Sequence, residues 1–234
     1  MKWKNWEDLP HELQSSEVRA YYDILQKKKN ALIIKRVFDV CASFVLLVIL
    51  LPVFLLLAIA IKLDSPGPVF YRQVRVTQYG EQFRIFKFRS MVQNADRRGS
   101  LVTVQEDKRI TRVGKIIRKF RLDELCQLID VLRGKMTFVG TRPEVPKYVE
   151  HYTPQMMATL LLPAGVTSEA SIYYKSEARL LSGKENPDSV YVEQILPQKM
   201  QYNLQYVESF SFWKDIGIMF KTVFAVFAGE REEN

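Results

Sequence analysis

Two adjacent carboxylates, Asp123 and Glu124, close the most basic stretch of the chain. From Arg72 to Arg121 there are 14 Lys and Arg against 4 Asp and Glu, while the other residues carry 20 basic and 22 acidic side chains. The whole net charge of +8 therefore belongs to one segment, and an anionic partner is expected beside it. Phospholipid headgroups, phosphorylated small molecules and nucleic acid all fit that description. The two acids have two readings. They are salt-bridge partners for the surrounding cations, or they are a carboxylate nucleophile beside a carboxylate that holds Mg²⁺. An aspartate ionises near pH 3.9, so it is anionic at neutral pH without help from a base. Carboxylates attack phosphorus in acyl-phosphate chemistry. Mg²⁺ takes oxygen ligands together with substrate phosphates. If Asp123 opens a helix running to Leu132, the positive helix end favours both the carboxylate and an incoming phosphate.

The cations that would grip phosphate oxygens are Lys87 and Arg89 in KFRSM, Arg118 five residues before Asp123, and Arg142 in GTRPE. Arginine binds such oxygens bidentately and lysine binds them as a point charge. Each taken alone also reads as a solvated surface charge. Other chemistries are excluded by composition. With 2 His and 2 Cys there is no thiolate–imidazole zinc cluster, and no glycine-rich phosphate cradle occurs. Cys41 and Cys126 read as free thiols in a reducing compartment.

These side chains need elements to hold them. Val40 to Ile61 is an apolar run of 22 residues, long enough to cross a bilayer core. Pro52 removes a backbone donor inside it. Lys27, Lys28, Lys29, Lys35 and Arg36 precede it, and Lys62, Arg72 and Arg75 follow, so both flanks demand the cytoplasmic side. A helix that enters, breaks at Pro52 and returns to the same face meets both demands. The Ser65-Pro66-Gly67-Pro68 cluster then ends it. Val69–Val76 and Gln82–Phe88 alternate as a β-hairpin around Tyr79-Gly80. Lys115 to Leu132 reads as helical overall, with Tyr148 to Leu162 and Val190 to Phe210 as further helix candidates. Near the C-terminus Phe210, Phe212, Trp213, Ile216, Phe220, Val223, Phe224 and Phe227 recur at helical spacing, with Lys214 and Lys221 between them. That pattern suits an amphipathic helix in the membrane interface, or one packed on the protein's own core. The expected fold is α+β and membrane-anchored: mostly helical, with a small hairpin sheet, a re-entrant helix and a C-terminal interfacial helix. Its expected divisions are a polar extension over 1–31, the membrane helix over 32–62 and a cytoplasmic catalytic domain over 63–234.

Several ordered motifs carry a resemblance: KRVFDV from Lys35, the apolar run with its central proline, SPGPVFYRQVR from Ser65 and FRIFKFRSM from Phe83. RITRVGKIIRKFRLDELCQLIDVLRGKM from Arg109 and FVGTRPEVPKYVEHY from Phe138 complete them. Together they resemble the bacterial sugar transferases, monotopic phosphoglycosyl transferases that load a phosphosugar onto polyprenyl phosphate. The resemblance implies that Asp123 is the nucleophile that becomes linked to the phosphosugar and that Glu124 is the Mg²⁺ ligand. It places Lys87, Arg118 and Arg142 in or near the active site, and gives Pro52 the break in the re-entrant helix. It implies a UDP-sugar donor, a polyprenyl phosphate acceptor, the cytoplasmic face of the bacterial inner membrane and downstream glycosyltransferases as partners. The chain departs from the family where Cys126 replaces a proline, Asp130 an asparagine and Thr141 the first proline of P-R-P. The stretch from Leu161 also lacks the usual G-R-N, leaving Lys175 or Arg179 to substitute for its arginine.

Two function classes follow. One is the transferase; the other is a non-catalytic membrane-surface module that binds anionic lipids or partner glycosyltransferases. An acidic pair inside LDEL favours the enzyme, because lipid binding needs no acids there. Nucleic-acid binding is not expected, since nothing resembles a recognition helix and the charge abuts the membrane segment.

Overall fold

In the computed structural model, residues 3–95, 102–103 and 107–227 are described. The ends of the expected first and last divisions therefore lie outside the described residues, as does the side chain of Phe227. Helix α1 (Ser16–Gln26) is followed by the long pair α2 (Lys29–Ile49) and α3 (Leu51–Asp64). The hairpin β1 (Phe70–Val76) and β2 (Gln82–Phe88) comes next, then α4 (Arg112–Lys119) and α5 (Leu128–Leu132). Strand β3 (Met136–Val139), α6 (Pro146–Val149) and β4 (Ala164–Thr167) follow. The chain ends in α7 (Glu169–Tyr173), α8 (Glu177–Leu180), α9 (Pro187–Val190), α10 (Leu196–Glu208) and α11 (Phe212–Phe227). It is a mixed, mostly helical fold with two small sheets.

The hairpin forms where alternation and turn residues place it. Phe70 pairs with Phe88 and Val76 with Gln82, and Tyr79 and Gly80 turn the chain with φ of 59° and 76°. The second sheet, β3 parallel to β4, was not read from sequence. It is short and fully apolar-to-small, so it shows no alternation, and its strands are separated by a long connection.

Three helix expectations are corrected. Lys115–Leu132 is not one helix: α4 stops at Lys119, Arg121 turns left-handed at φ 55°, and Leu122–Gln127 winds as a 3-10 helix before α5. Asp123 consequently lies inside a 3-10 turn and opens no α-helix, which removes the helix-dipole argument made for it. Tyr148–Leu162 is also interrupted. Pro154 disfavours helical backbone at Thr153, leaving only α6 and a 3-10 turn over Met156–Leu161. Val190–Phe210 is helical as expected but widens to a π turn over Tyr191–Ile195, just before Pro197, and ends at Glu208.

The first residues are polar in composition yet enter the main core. Leu9, Leu13, Val18, Tyr21, Tyr22 and Leu25 are buried with β3, α10 and the turn over Met156–Leu161. Trp3 stacks on Tyr22, and Tyr79 of the hairpin turn accepts from the Lys4 amide.

Among the described residues no single helix is long and apolar enough to cross a membrane, but α2 and α3 together pass that test and meet at a bend of 61°. Pro52 stands in the first turn of α3, where a missing N–H costs least, so the break falls at Leu50–Leu51. The root of α2 is tied to the body by polar contacts. Lys35 donates to the Val139 carbonyl at 2.9 Å and pairs with Asp215 of α11 at 2.5 Å. Asp39 accepts from the Thr137 hydroxyl at 2.6 Å and from the Phe138 amide. Arg36 donates to the carbonyls of Val131 and Leu132 at the end of α5. At the far end of the pair, Asp64 accepts from the Val113 amide and so joins α3 to α4.

Helix α11 has two faces, one packed on the body and one exposed. Ile218 and Asp215 are buried against the body, while Trp213, Phe220, Val223 and Phe224 are exposed. Phe210 precedes the helix and belongs to the core.

Because Lys35 and Asp215 are both dry, removing one leaves an uncompensated buried charge. Lys35→Met is expected to lower stability by about 3–5 kcal/mol, measured as the thermal midpoint in detergent. An unchanged midpoint would show that the pair does not root α2.

Candidate active site

The site is built where the 3-10 turn Leu122–Gln127 packs across β2. Adjacent side chains on a 3-10 helix diverge by a third of a turn, so Asp123 and Glu124 face different neighbours. The turn is held from below by Cys126, fully buried among Ile61, Phe88 and Ile117, where the small thiol packs as a hydrophobe. Asp130, one turn on, accepts a 2.8 Å hydrogen bond from the Phe86 amide and pins α5 to the outer edge of β2. Two of the departures from the family pattern thus serve packing and register.

Glu124 is the centre of the charge arrangement. Lys87 of β2 donates to its Oε1 at 3.2 Å, and Arg142 clasps it through Nη1 to Oε2 at 3.2 Å and Nη2 to Oε1. Burial pushes the Glu124 carboxyl up, but Arg142, then Lys87 and Arg121, outweigh that and hold it well below its usual value. The same contact with Glu124 raises Arg142, while burial lowers Lys87 against the pull of Glu124.

Asp123 is treated differently. It is also buried, yet among the described residues no side chain donates a hydrogen bond to its carboxylate. Burial first, and then the neighbouring Glu124, raise its carboxyl above the ordinary value; Lys87, Arg118 and Arg121 oppose the shift without cancelling it. The result is a carboxylate with unengaged lone pairs in a cationic surround.

Arg142 reaches this point because β3 and β4 run parallel and end together. Gly140 donates to Thr167 and Gly165 to the Thr141 carbonyl, so the two strands touch closely. A Cβ at Gly165 would come within 2.2 Å of the Gly140 nitrogen, which only glycine avoids. The loop after β3 then carries Arg142 outward, and Arg75 of β1 holds it by donating to the Pro143 carbonyl at 3.0 Å.

The structure therefore brings Asp123, Glu124, Lys87 and Arg142 together, with Arg118 close enough to act on the Asp123 charge. It does not bring Arg89 to them. Arg89 is buried and donates to the carbonyls of Ser65, Pro66 and Ile61, closing the C-terminal end of α3. Lys175 lies between α7 and α8, and Arg179 is exposed on α8; neither has a recorded contact with the acidic pair. Glu177 of the same helix does act on Arg142 through its charge. Arg75 and Arg121 were missed by sequence reasoning. Arg121 had a signal, being two residues before Asp123, but its left-handed backbone had none.

For Mg²⁺, the donor set is the test. No group of three or more metal-ligating side chains exists among the described residues. Mg²⁺ is commonly held by one or two carboxylates plus substrate phosphates, and Asp123 with Glu124 supplies that class of donor. The residues fit an ion that arrives with a phosphorylated substrate.

The chain is 36% identical over 199 residues to a UDP-N-acetylgalactosamine-undecaprenyl-phosphate N-acetylgalactosaminephosphotransferase of Aeromonas hydrophila, covering 84% of this chain and 44% of that protein. It is 35% identical over 192 residues to a UDP-glucose:undecaprenyl-phosphate glucose-1-phosphate transferase of Caulobacter vibrioides, covering 81% and 68%. The Escherichia coli protein of that same description is 33% identical over 223 residues, covering 94% and 45%. The chain thus spans less than half the length of two of these three relatives. The family model described as bacterial sugar transferase matches residues 30–229, from the root of α2 through the acidic pair to the end of α11, and the chain belongs to that family.

Proposed function

We propose that the protein moves a sugar 1-phosphate from a UDP-sugar to a polyprenyl phosphate at the cytoplasmic face of the bacterial inner membrane. The observation that carries this reading is the unequal pair: Asp123, which receives no side-chain hydrogen bond among the described residues, beside Glu124 clamped by Arg142 and Lys87. The printed names of the relatives, with UDP-sugars and undecaprenyl phosphate as substrates, support it.

In the first half-reaction an Asp123 carboxylate oxygen attacks the β-phosphorus of the donor. A bond forms from that oxygen to phosphorus, and the bond from phosphorus to the bridging oxygen breaks. UMP leaves with the electron pair. In the second half-reaction an oxygen of the lipid phosphate attacks the same phosphorus and releases the Asp123 carboxylate, giving polyprenyl diphosphosugar. Arg142, Lys87 and Arg118 bind and orient the phosphate oxygens and neutralise charge as it develops. Glu124, with Asp123, would hold Mg²⁺, which when bound supplies further neutralisation of the diphosphate.

The acceptor's long apolar tail calls for a membrane setting, and the bent pair α2–α3 suits one. Phe44, Val48, Ile49, Leu55, Leu56 and Ile59 are exposed along it. Exposed apolar surface of this extent is unfavourable in water and favourable in lipid. A re-entrant course keeps both basic flanks on one side, where an anionic leaflet attracts each cation by about 1 kcal/mol.

The direct test is UMP release from a panel of UDP-sugars with Mg²⁺ and polyprenyl phosphate, using the protein extracted from membranes. Release with none of the donors would sink the proposal and leave the non-catalytic membrane module as the surviving reading.

Asp123→Asn is expected to abolish release while the protein stays folded. The sign for stability follows from the raised carboxyl. The folded chain holds that proton more tightly than the unfolded chain, so ionised Asp123 lowers stability at neutral pH, and removing its charge should leave the thermal midpoint unchanged or higher. For the same reason the rate should fall with acid around a midpoint above the ordinary aspartate value of about 3.9. A variant that keeps near-normal release would exclude the covalent route.

Glu124→Gln has the opposite sign. Its lowered carboxyl contributes stability that is present at neutral pH and lost as pH falls through the folded-state value. The variant should lose activity, weaken the Mg²⁺ dependence and cost about 1.5–3 kcal/mol of stability. An unaltered Mg²⁺ titration would remove Glu124 from the metal site.

Topology is checked with single cysteines at positions 28 and 72 in a chain lacking Cys41 and Cys126, exposed in intact cells to an impermeant thiol reagent. Protection at both positions is expected. Labelling at 28 with protection at 72 would mean that the chain crosses the bilayer.

A further inference from the structure

The loop that carries Arg142 is backed by a second buried charge cluster that the acidic pair does not use. Glu144, two residues after Arg142, accepts a hydrogen bond from the Tyr191 hydroxyl in the π turn. Lys199 of α10 donates to that hydroxyl at 2.9 Å and to Glu177 of α8 at 2.8 Å, and lies 3.8 Å from Glu144. Tyr191, Lys199 and Glu144 are 2%, 4% and 6% exposed. The direction of donation is fixed. Tyr191 gives its proton to Glu144, so its oxygen lone pairs accept from Lys199. Lys199 also lies over the Tyr191 ring, 4.9 Å from its centroid. On its other flank Glu144 faces Arg75 at 3.9 Å.

The two carboxylates that Lys199 satisfies, Glu144 and Glu177, both act on Arg142 through their charge. Arg142 thus sits among three acids. Two of them are compensated by Lys199 from behind, and among the described residues Glu124 alone receives the guanidinium in hydrogen-bonded contact. Without the ammonium, Glu177 would lose the cation 2.8 Å from it and Glu144 would keep only Arg75 at 3.9 Å, so both carboxylates would pull harder on Arg142. A buried charge that loses its partner draws on whatever counter-charge is in reach, because leaving it unpaired is costly.

We infer that Lys199 is a positioning residue for Arg142: by neutralising Glu144 and Glu177 together, it keeps the guanidinium directed to Glu124 and to the diphosphate of the donor. The inference rests on the transferase reading above and adds to it a residue far along the chain that sets donor binding without touching the substrate. It also joins α8, in the segment that departs most from the family pattern, to the phosphate-binding loop, so that the two move as one unit.

The test uses the full-length protein in detergent with UDP-sugar, Mg²⁺ and polyprenyl phosphate. Lys199→Met keeps the length of the chain and removes the charge. It is expected to raise the donor KM so that kcat/KM for the donor falls by about tenfold, while the UMP burst per folded chain is unchanged. Lys199→Arg should restore the donor KM. Adding Glu177→Gln to Lys199→Met should restore it in part, because one competing carboxylate is gone. Tyr191→Phe, which removes a single hydroxyl, should move the donor KM in the same direction by a smaller factor. A smaller burst with a normal donor KM in Lys199→Met would mean a role in folding alone and would overturn the inference. So would an unchanged donor KM in Tyr191→Phe, or the absence of any rescue by Glu177→Gln. Failure of the wild-type protein to release UMP is a separate result, and it would take down the transferase reading and this inference with it.

Discussion

The structure depends on one buried contact, the carboxylate of Glu124 held between Arg142 and Lys87. Neither an acid nor its cations can be this dry without the others, so three distant parts of the chain must arrive together. The 3-10 turn brings Glu124, β2 brings Lys87, and the loop after β3 brings Arg142. Each arrival has its own cause. The turn needs the left-handed residue at Arg121, the strand needs its hairpin partner, and the loop needs the close approach of Gly140 and Gly165. A fault in any of the three leaves a charge stranded in the other two.

The same logic governs how the body holds the bent pair α2–α3. Hydrophobic contact is non-directional and by itself fixes no angle between that apolar pair and the body. Hydrogen bonds are directional and do. Lys35, Arg36 and Asp39 grip the ends of β3 and α5, and Asp215 brings α11 to the same point. Strand β3 leads directly into the loop of Arg142, so the contacts that fix α2 also fix one wall of the site.

The sequence made legible the parts that depend on local pattern. The hairpin followed from alternation and a turn pair, the broken apolar helix from Pro52 and its basic flanks, and the acidic pair from its contrast with the charges around it. What it hid depends on partners distant in the chain. Arg89 looked like its neighbour Lys87, but it lies just past the end of β2 and turns to the carbonyls ending α3, while Lys87 within the strand reaches Glu124. Glu144, Tyr191 and Lys199 carry no shared motif and meet only after folding. The break in Lys115–Leu132 was invisible because no proline or glycine marks it; an arginine takes the left-handed position instead.

Why two adjacent carboxylates behave so differently is the last point the structure explains. In a 3-10 turn neighbours in sequence diverge by a third of a turn, so the two side chains meet different partners. Glu124 has the longer side chain and reaches across to Arg142 and Lys87, which lowers its carboxyl and commits it as a fixed negative charge. That fixed charge, together with burial, raises Asp123 beside it. Among the described residues no side chain donates a hydrogen bond to Asp123, so its lone pairs stay open within the same cationic surround that engages Glu124.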